Sequence, residues 1–90
     1  MDEDPLKRHT FVVEAAGGPD VLLRVLGPFA LQEATITDLR LDRRADAVSL
    51  FIEASGVTDA RAALIARRLE GLAAVRGVGL GWRSGDRSYP

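Results

Sequence analysis

The spacing of apolar residues changes period four times along this chain, and that pattern constrains the fold more than any other feature. Phe11, Val13 and Ala15 alternate with Thr10, Val12 and Glu14, the period of a strand. Val21, Leu22, Val25, Leu26 and Phe29 then recur at helical spacing. Two strand patterns follow. In the first, Thr37, Leu39 and Leu41 alternate with Asp38, Arg40 and Asp42, and Ile36 falls out of phase, which predicts a bulge or a second covered face. In the second, Val48, Leu50 and Ile52 alternate with Ser49, Phe51 and Glu53. Helical spacing returns with Ala62, Ile65, Leu69 and Leu72, capped by Thr58 or Asp59. In a last strand Val78, Leu80 and Trp82 alternate with Gly77, Gly79 and Gly81.

The order is therefore β-α-β-β-α-β. Two helices with one apolar stripe each must bury those stripes on one face of a four-stranded antiparallel sheet. Right-handed crossovers then give a ferredoxin-like α+β sandwich. The domain spans residues 9–83, with a flexible leader over 1–8 and a flexible tail over 84–90. Val13, Leu22, Leu50, Ile52, Leu69 and Leu80 are expected between sheet and helices. Gly17-Gly18-Pro19 breaks the first strand. Pro19 suits the first helical position, and Asp20 faces the positive end of the helix dipole. Gly27-Pro28 interrupts the stripe, so a kink or stop is expected near Gly27, with a loose turn from Phe29 to Glu33.

Composition excludes several chemistries. The chain has no cysteine, so it carries no disulfide, iron–sulfur centre, zinc finger or thiol nucleophile. A single His9 cannot build a histidine metal site. The net charge of -1 argues against nucleic-acid binding, and the apolar runs are too short to cross a membrane. Phe51 is one outward aromatic, with Val12 where RNA stacking would want a second. Met1-Asp2-Glu3-Asp4 is acidic, the opposite of a signal peptide, which leaves the cytoplasm as the expected location. His9 reads as a half-exposed strand-end residue, and Glu14 and Glu53 as solvated charges. No catalytic residue, metal or cofactor is expected. The glycines of the last strand fit either a close approach by another backbone or a flat exposed face.

A chain of this size is marginal alone. Burying ~5,500 Å² of apolar surface supplies ~135 kcal/mol, and ordering 90 residues at ~1.5 kcal/mol each costs about the same. An unpaired sheet edge is a further liability. A homodimer is expected through the second strand and first helix, at Val25, Phe29, Ile36 and Leu39. The alternative surface is the outer sheet face, with Val12, Phe51 and the glycine line.

The run Gly18-Pro19-Asp20-Val21-Leu22-Leu23-Arg24-Val25-Leu26 resembles the loop-to-helix entry of ACT domains. In particular it resembles that of the small regulatory subunit of acetolactate synthase. Arg68-Leu69-Glu70-Gly71-Leu72-Ala73-Ala74-Val75-Arg76-Gly77-Val78 is similar to the second-helix exit of that family. The resemblance covers Thr10 to about Val78. It implies a non-catalytic regulatory module that dimerises and acts on a catalytic large subunit in amino-acid biosynthesis. It also implies a ligand loop at Gly17, Gly18, Pro19, Asp20, Val21 and Leu22.

The loop departs from the family pattern. Gly17 replaces a polar residue, and Asp20 replaces a glycine where a ligand carboxylate would approach. Gln32-Glu33 stands where the acetolactate-synthase type has Arg-Gly. Amino-acid binding is accordingly expected to be weak or absent. Two further readings stand beside the regulatory subunit: a stand-alone ligand sensor, and a dimeric interaction protein without a ligand. An enzyme ranks behind all three.

Overall fold

The computed structural model describes residues 7–84. The elements are β1 (Lys7–Ala16), α1 (Val21–Leu31), β2 (Thr35–Arg44), β3 (Ala47–Ser55), α2 (Asp59–Glu70) and β4 (Val75–Ser84). The four strands form one antiparallel sheet in the order β2-β3-β1-β4. This is the ferredoxin-like arrangement expected from the sequence. β1 starts at Lys7, so Lys7 and Arg8 belong to the sheet and not to a leader. Residues 1–6 of the expected leader and 85–90 of the expected tail lie outside the described residues.

The core lies between one sheet face and the helices. Phe11, Val13 and Ala15 of β1 join Val48, Leu50, Ile52 and Ala54 of β3. Val21, Val25 and Phe29 of α1 and Ala62, Ile65 and Leu69 of α2 close over them. Each set follows the period of its own element, which is why the faces were legible in advance. Leu22 is only half-buried against this cluster. Leu80 faces the helix side, paired with Phe11, yet is 43% exposed. Its strand is an outer one: α2 packs on β4, whose Val75 and Val78 lie against the core, but Leu80 stays open beyond them.

The first helix corrects two expectations. It begins at Val21 with Asp20 at the N-cap, so Pro19 lies outside it. The Arg24 N–H donates to the Asp20 carbonyl at 3.1 Å, the first bond of the helix. The helix also runs through Gly27-Pro28 to Leu31. An interior proline costs roughly 3 kcal/mol. Against that, Phe29 is 1% exposed and meets Phe11 edge-to-face, with ring centroids 4.8 Å apart. Burying a phenylalanine supplies about 1.5–3 kcal/mol, and an aromatic pair about 0.5–1.5 more. The two sides nearly balance, and the helix holds for one more turn.

Its end is a Schellman motif. The Glu33 N–H donates to the Ala30 carbonyl and the Ala34 N–H to the Phe29 carbonyl, both at 3.0 Å. Glu33 takes the left-handed position, φ 57°, that glycine usually fills.

In β2 the bulge falls between Ile36 and Asp38. Thr37 is the extra residue, and Ile36 rejoins Leu39 and Leu41 on the helix side, as its phase predicted. In α2 the Thr58 hydroxyl accepts from the Arg61 N–H at 3.1 Å, which settles the cap on Thr58.

Candidate functional site

A cleft of about 340 Å³ opens where the β1–α1 loop meets the α2–β4 connection. The loop is pinned on both sides. The Ala16 N–H donates to the Ala74 carbonyl at 2.8 Å, and the Gly17 N–H to the Asp46 carbonyl at 2.9 Å. A Cβ at Gly17 would meet the Asp46 carbonyl carbon at 3.4 Å, an ordinary van der Waals contact, so the approach alone does not require glycine. The Gly17 N–H is spent on the fold and is not offered to an anion.

Of the residues assigned to a ligand loop, Gly17, Gly18, Asp20 and Val21 line the cleft, and Pro19 and Leu22 do not. Arg24 and the segment Leu72–Val75 complete it. Arg24 lies one turn beyond Asp20, a spacing that signals an ion pair on a helix. Its Nε donates to Asp20 Oδ2 at 2.7 Å. This hydrogen bond to Arg24 holds the Asp20 carboxyl below its usual value. The sequence reading gave Asp20 an unopposed charge that repels a carboxylate. In the fold Arg24 offsets that charge, and the cleft mouth carries both signs over an apolar bed.

The expected dimer surface needs correction. Val25 and Phe29 are 0% and 1% exposed in the chain's own core, so they offer nothing to a partner. They complete the α1 stripe that α1 must bury. Ile36 and Leu39 are exposed on the helix side of β2, together with Leu41.

Glu53 and His9 are also placed differently from expectation. Glu53 is 3% exposed, not solvated. Arg83 Nε donates to its Oε2 at 2.8 Å, and Arg8 and Thr37 approach Oε1 at 3.5 and 3.2 Å. Arg83 above all holds the Glu53 carboxyl low, while burial opposes it. Glu14 stays exposed and accepts from the Ser49 hydroxyl at 2.6 Å.

His9 is 2% exposed, not half-exposed, because β1 continues past it under the start of α2. Its Nε2 donates to Asp59 Oδ1 at 2.9 Å, an oxygen shared with Lys7 Nζ at 2.6 Å. Lys7 and then His9 hold the Asp59 carboxyl low. Lys7 also lies 4.3 Å from the centre of the Trp82 ring. These contacts tie the first described residues to the N-terminus of α2, far from the cleft in sequence. Among the described residues no cluster of three or more His, Asp or Glu side chains is placed to hold a metal.

The outer sheet face is open at Val12, which is 46% exposed, and Phe51 lies under Arg40. Along the glycine line a Cβ at Gly81 would come 3.2 Å from Thr10 Oγ1, a contact that a small shift of the threonine side chain would have to relieve, whereas Gly77 has open space. No described helix is long and apolar enough to cross a membrane.

The ACT-like domain family model matches residues 3–84. The chain belongs to the ACT-like domain family. This ACT-like domain is similar in structure to the ACT domain from GTP pyrophosphokinase of Chlorobium tepidum. The TM-score is 0.72 at 8% identity, over 81% of this chain and 95% of that one. It is similar to the C-terminal domain of the MgtC protein from Mycobacterium tuberculosis, with a TM-score of 0.72 at 14% identity, over 99% and 100% of the two chains. It is also similar to a homoserine dehydrogenase from Thiobacillus denitrificans, with a TM-score of 0.71 at 16% identity, over 86% of this chain and 17% of that one. At these identities the likeness is one of fold. No curated protein matches the chain.

Proposed function

We propose that this ACT-like domain is a non-catalytic regulatory module. It holds a small zwitterion in the cleft between the β1–α1 loop and the α2–β4 connection, and it acts on a partner enzyme of amino-acid biosynthesis. The observation that carries this reading is the Asp20–Arg24 pair beside the partly open apolar lining of Ala16, Leu72 and Val75. A carboxylate and a guanidinium side by side match an ammonium and a carboxylate, and the apolar bed suits an aliphatic side chain. Two structural neighbours support the regulatory part. One is the ACT domain of a pyrophosphokinase, and the other is a dehydrogenase of which this fold covers only a small share.

The resemblance to the small subunit of acetolactate synthase makes the catalytic large subunit of that enzyme the first partner to test. A second reading, an interaction module without a ligand, is favoured by Gly17, which has no side chain and a committed N–H. Calorimetry with valine, leucine, isoleucine and serine separates the two. The expected result is saturable binding with a dissociation constant of ~0.1–1 mM, roughly 4–5.5 kcal/mol. No binding heat with any of the four overturns the effector reading in favour of the second.

A further inference from the structure

β4 is a margin strand: β1 lies on one side of it, and among the described residues no strand lies on the other. Such an edge offers a row of free backbone N–H and C=O groups, and folded proteins usually guard it with charges, a proline or a bulge. β2, at the opposite margin, is guarded in this way. It carries Asp38, Arg40, Asp42, Arg43 and Arg44 and has its bulge at Thr37. β4 lacks such guards. From Gly77 to Trp82 it has neither a charge nor a proline, and its one irregularity lies before Gly77, where Arg76 is the extra residue.

Both faces of this stretch are open. On the helix side Leu80 is 43% and Trp82 62% exposed, and Lys7 sits over one face of the Trp82 ring. On the outer face Gly77, Gly79 and Gly81 form a trough, with Val12 of β1 along its inner side. The fold does not need two of these glycines. Neither Gly77 nor Gly79 has a positive φ. A Cβ at Gly77 would meet nothing within 4 Å, and one at Gly79 only the Val12 Cβ at 4.0 Å. Glycine weakens a strand, so the chain forgoes stability along a row that its own packing leaves free.

We propose that β4 takes up an extended segment of a partner protein as a fifth strand of the sheet. That segment has aromatic residues at alternate positions and a carboxylate at each end. Strand addition pairs the free backbone groups of the edge. The added strand would lie ~4.8 Å from β4 and ~9.6 Å from β1, so an aromatic ring opposite Gly79 can lie over the glycine and end near Val12. Rings set against edge glycines restore the packing that glycine lacks. The side chains between them point to the helix side and cover Leu80 and Trp82.

The two ends of the open stretch are basic. Arg76 is exposed, and Arg83, 51% exposed, gives its Nε to Glu53 and keeps its terminal N–H groups. No acidic residue lies on β4. The two arginines are ~24 Å apart along the strand, so the matching carboxylates stand about seven to eight residues apart. A second copy of the chain does not fit. Paired antiparallel about any residue from Val78 to Gly81, it sets glycine against glycine and brings arginine but no carboxylate. Gly77 to Arg83 shares no residue with the effector cleft.

The test uses the full chain and the synthetic peptide Glu-Thr-Tyr-Val-Tyr-Val-Tyr-Thr-Glu, which presents one pattern in either direction. Trp82 is the only tryptophan, so its emission reports strand addition. A saturable blue shift is expected, with a dissociation constant of ~0.1 mM or tighter. Replacing the tyrosines by serine, or the glutamates by lysine, should weaken binding about tenfold or more. Arg76→Glu should reverse the second preference, so that the lysine-ended peptide binds better. Leu80→Lys puts a charge on the edge and should abolish the shift, while circular dichroism shows the fold intact. Gly79→Val should raise the midpoint of chemical denaturation and shrink the advantage of tyrosine over serine, because it fills the trough.

No shift with the glutamate-ended peptide, equal affinity for both end charges, or a full shift in Leu80→Lys overturns the proposal. A blue shift with protein concentration alone also overturns it, since a second copy would then occupy β4. Saturating valine should leave peptide binding unchanged, so failure of the peptide and failure of the effector cleft are read separately.

Discussion

Arg24 Nε stands 2.7 Å from Asp20 Oδ2 at the mouth of the cleft, and the two side chains are 63% and 55% exposed. The pair changes what Asp20 means. Alone, a carboxylate at the start of a helix would turn a ligand carboxylate away. Paired, it leaves the guanidinium's remaining N–H groups free to receive one. Arg24→Ala is therefore expected to weaken amino-acid binding by about tenfold or more, since a charge-assisted hydrogen bond is lost. The fold should be unaffected, because both side chains are largely in solvent. Calorimetry and a thermal melt on the same variant check both halves. Unchanged affinity would remove Arg24 from the site.

Glu53 gives a pH signature. Its carboxyl is held below the ordinary 4.5, first by the hydrogen bond from Arg83, against the effect of burial. A depressed acid contributes stability that is fully present above its unfolded value and lost as pH falls through its folded one. Glu53→Gln should cost about 1–3 kcal/mol at neutral pH, because it uncouples Arg83 and Arg8 from a buried acceptor. The gap between the variant and the original chain should close as pH falls below the folded value. Urea denaturation across the acid range measures it. A gap that persists when Glu53 is protonated would contradict the ion-pair account.

Leu50 and Leu80 make a matched pair. Both face the helices, but Leu50 is 1% exposed and Leu80 is 43% exposed. Leu50→Ala should cost ~2–5 kcal/mol through transfer and cavity terms. Leu80→Ala should cost roughly 1 kcal/mol or less, since it leaves no closed cavity. Equal losses in chemical denaturation would mean that β4 is covered in solution.

Glu33 carries a positive φ of 57° at the end of α1. A left-handed residue with a Cβ costs roughly 1–2 kcal/mol, and glycine gives back about 0.4–1 through the unfolded chain. Glu33→Gly should therefore stabilise the protein by about 0.5–1 kcal/mol, visible as a higher midpoint in denaturant. A lower midpoint would show that the Glu33 side chain has a stabilising contact.

The order of elements, the faces of β1, β3 and both helices, and the bulge at Ile36 were all legible in the residues. Each is a property of neighbours a few positions apart. The continuation of α1 through Gly27-Pro28 was not legible. Proline's local cost was weighed without the burial of Phe29 against Phe11, a contact across 18 positions that no window along the chain contains. Four of the cleft residues were legible, Gly17, Gly18, Asp20 and Val21. The Asp20–Arg24 spacing was available as a signal and was not used, and Leu72–Val75 enters the cleft only through the return of β4 beside β1.

Periodicity by itself determined which face each residue takes and hence the βαββαβ sandwich, because side-chain direction follows from local backbone geometry. Tertiary structure alone decided what covers each face. Strand order puts β2 and β4 at the margins, and this leaves Leu41 and Leu80 open while Phe11 and Leu50 close. It also brings Arg8, Thr37 and Arg83 to Glu53, and Asp59 to His9. Coverage and charge pairing depend on segments distant in sequence meeting in space, and the apolar spacing along one segment carries no record of what will be set against it.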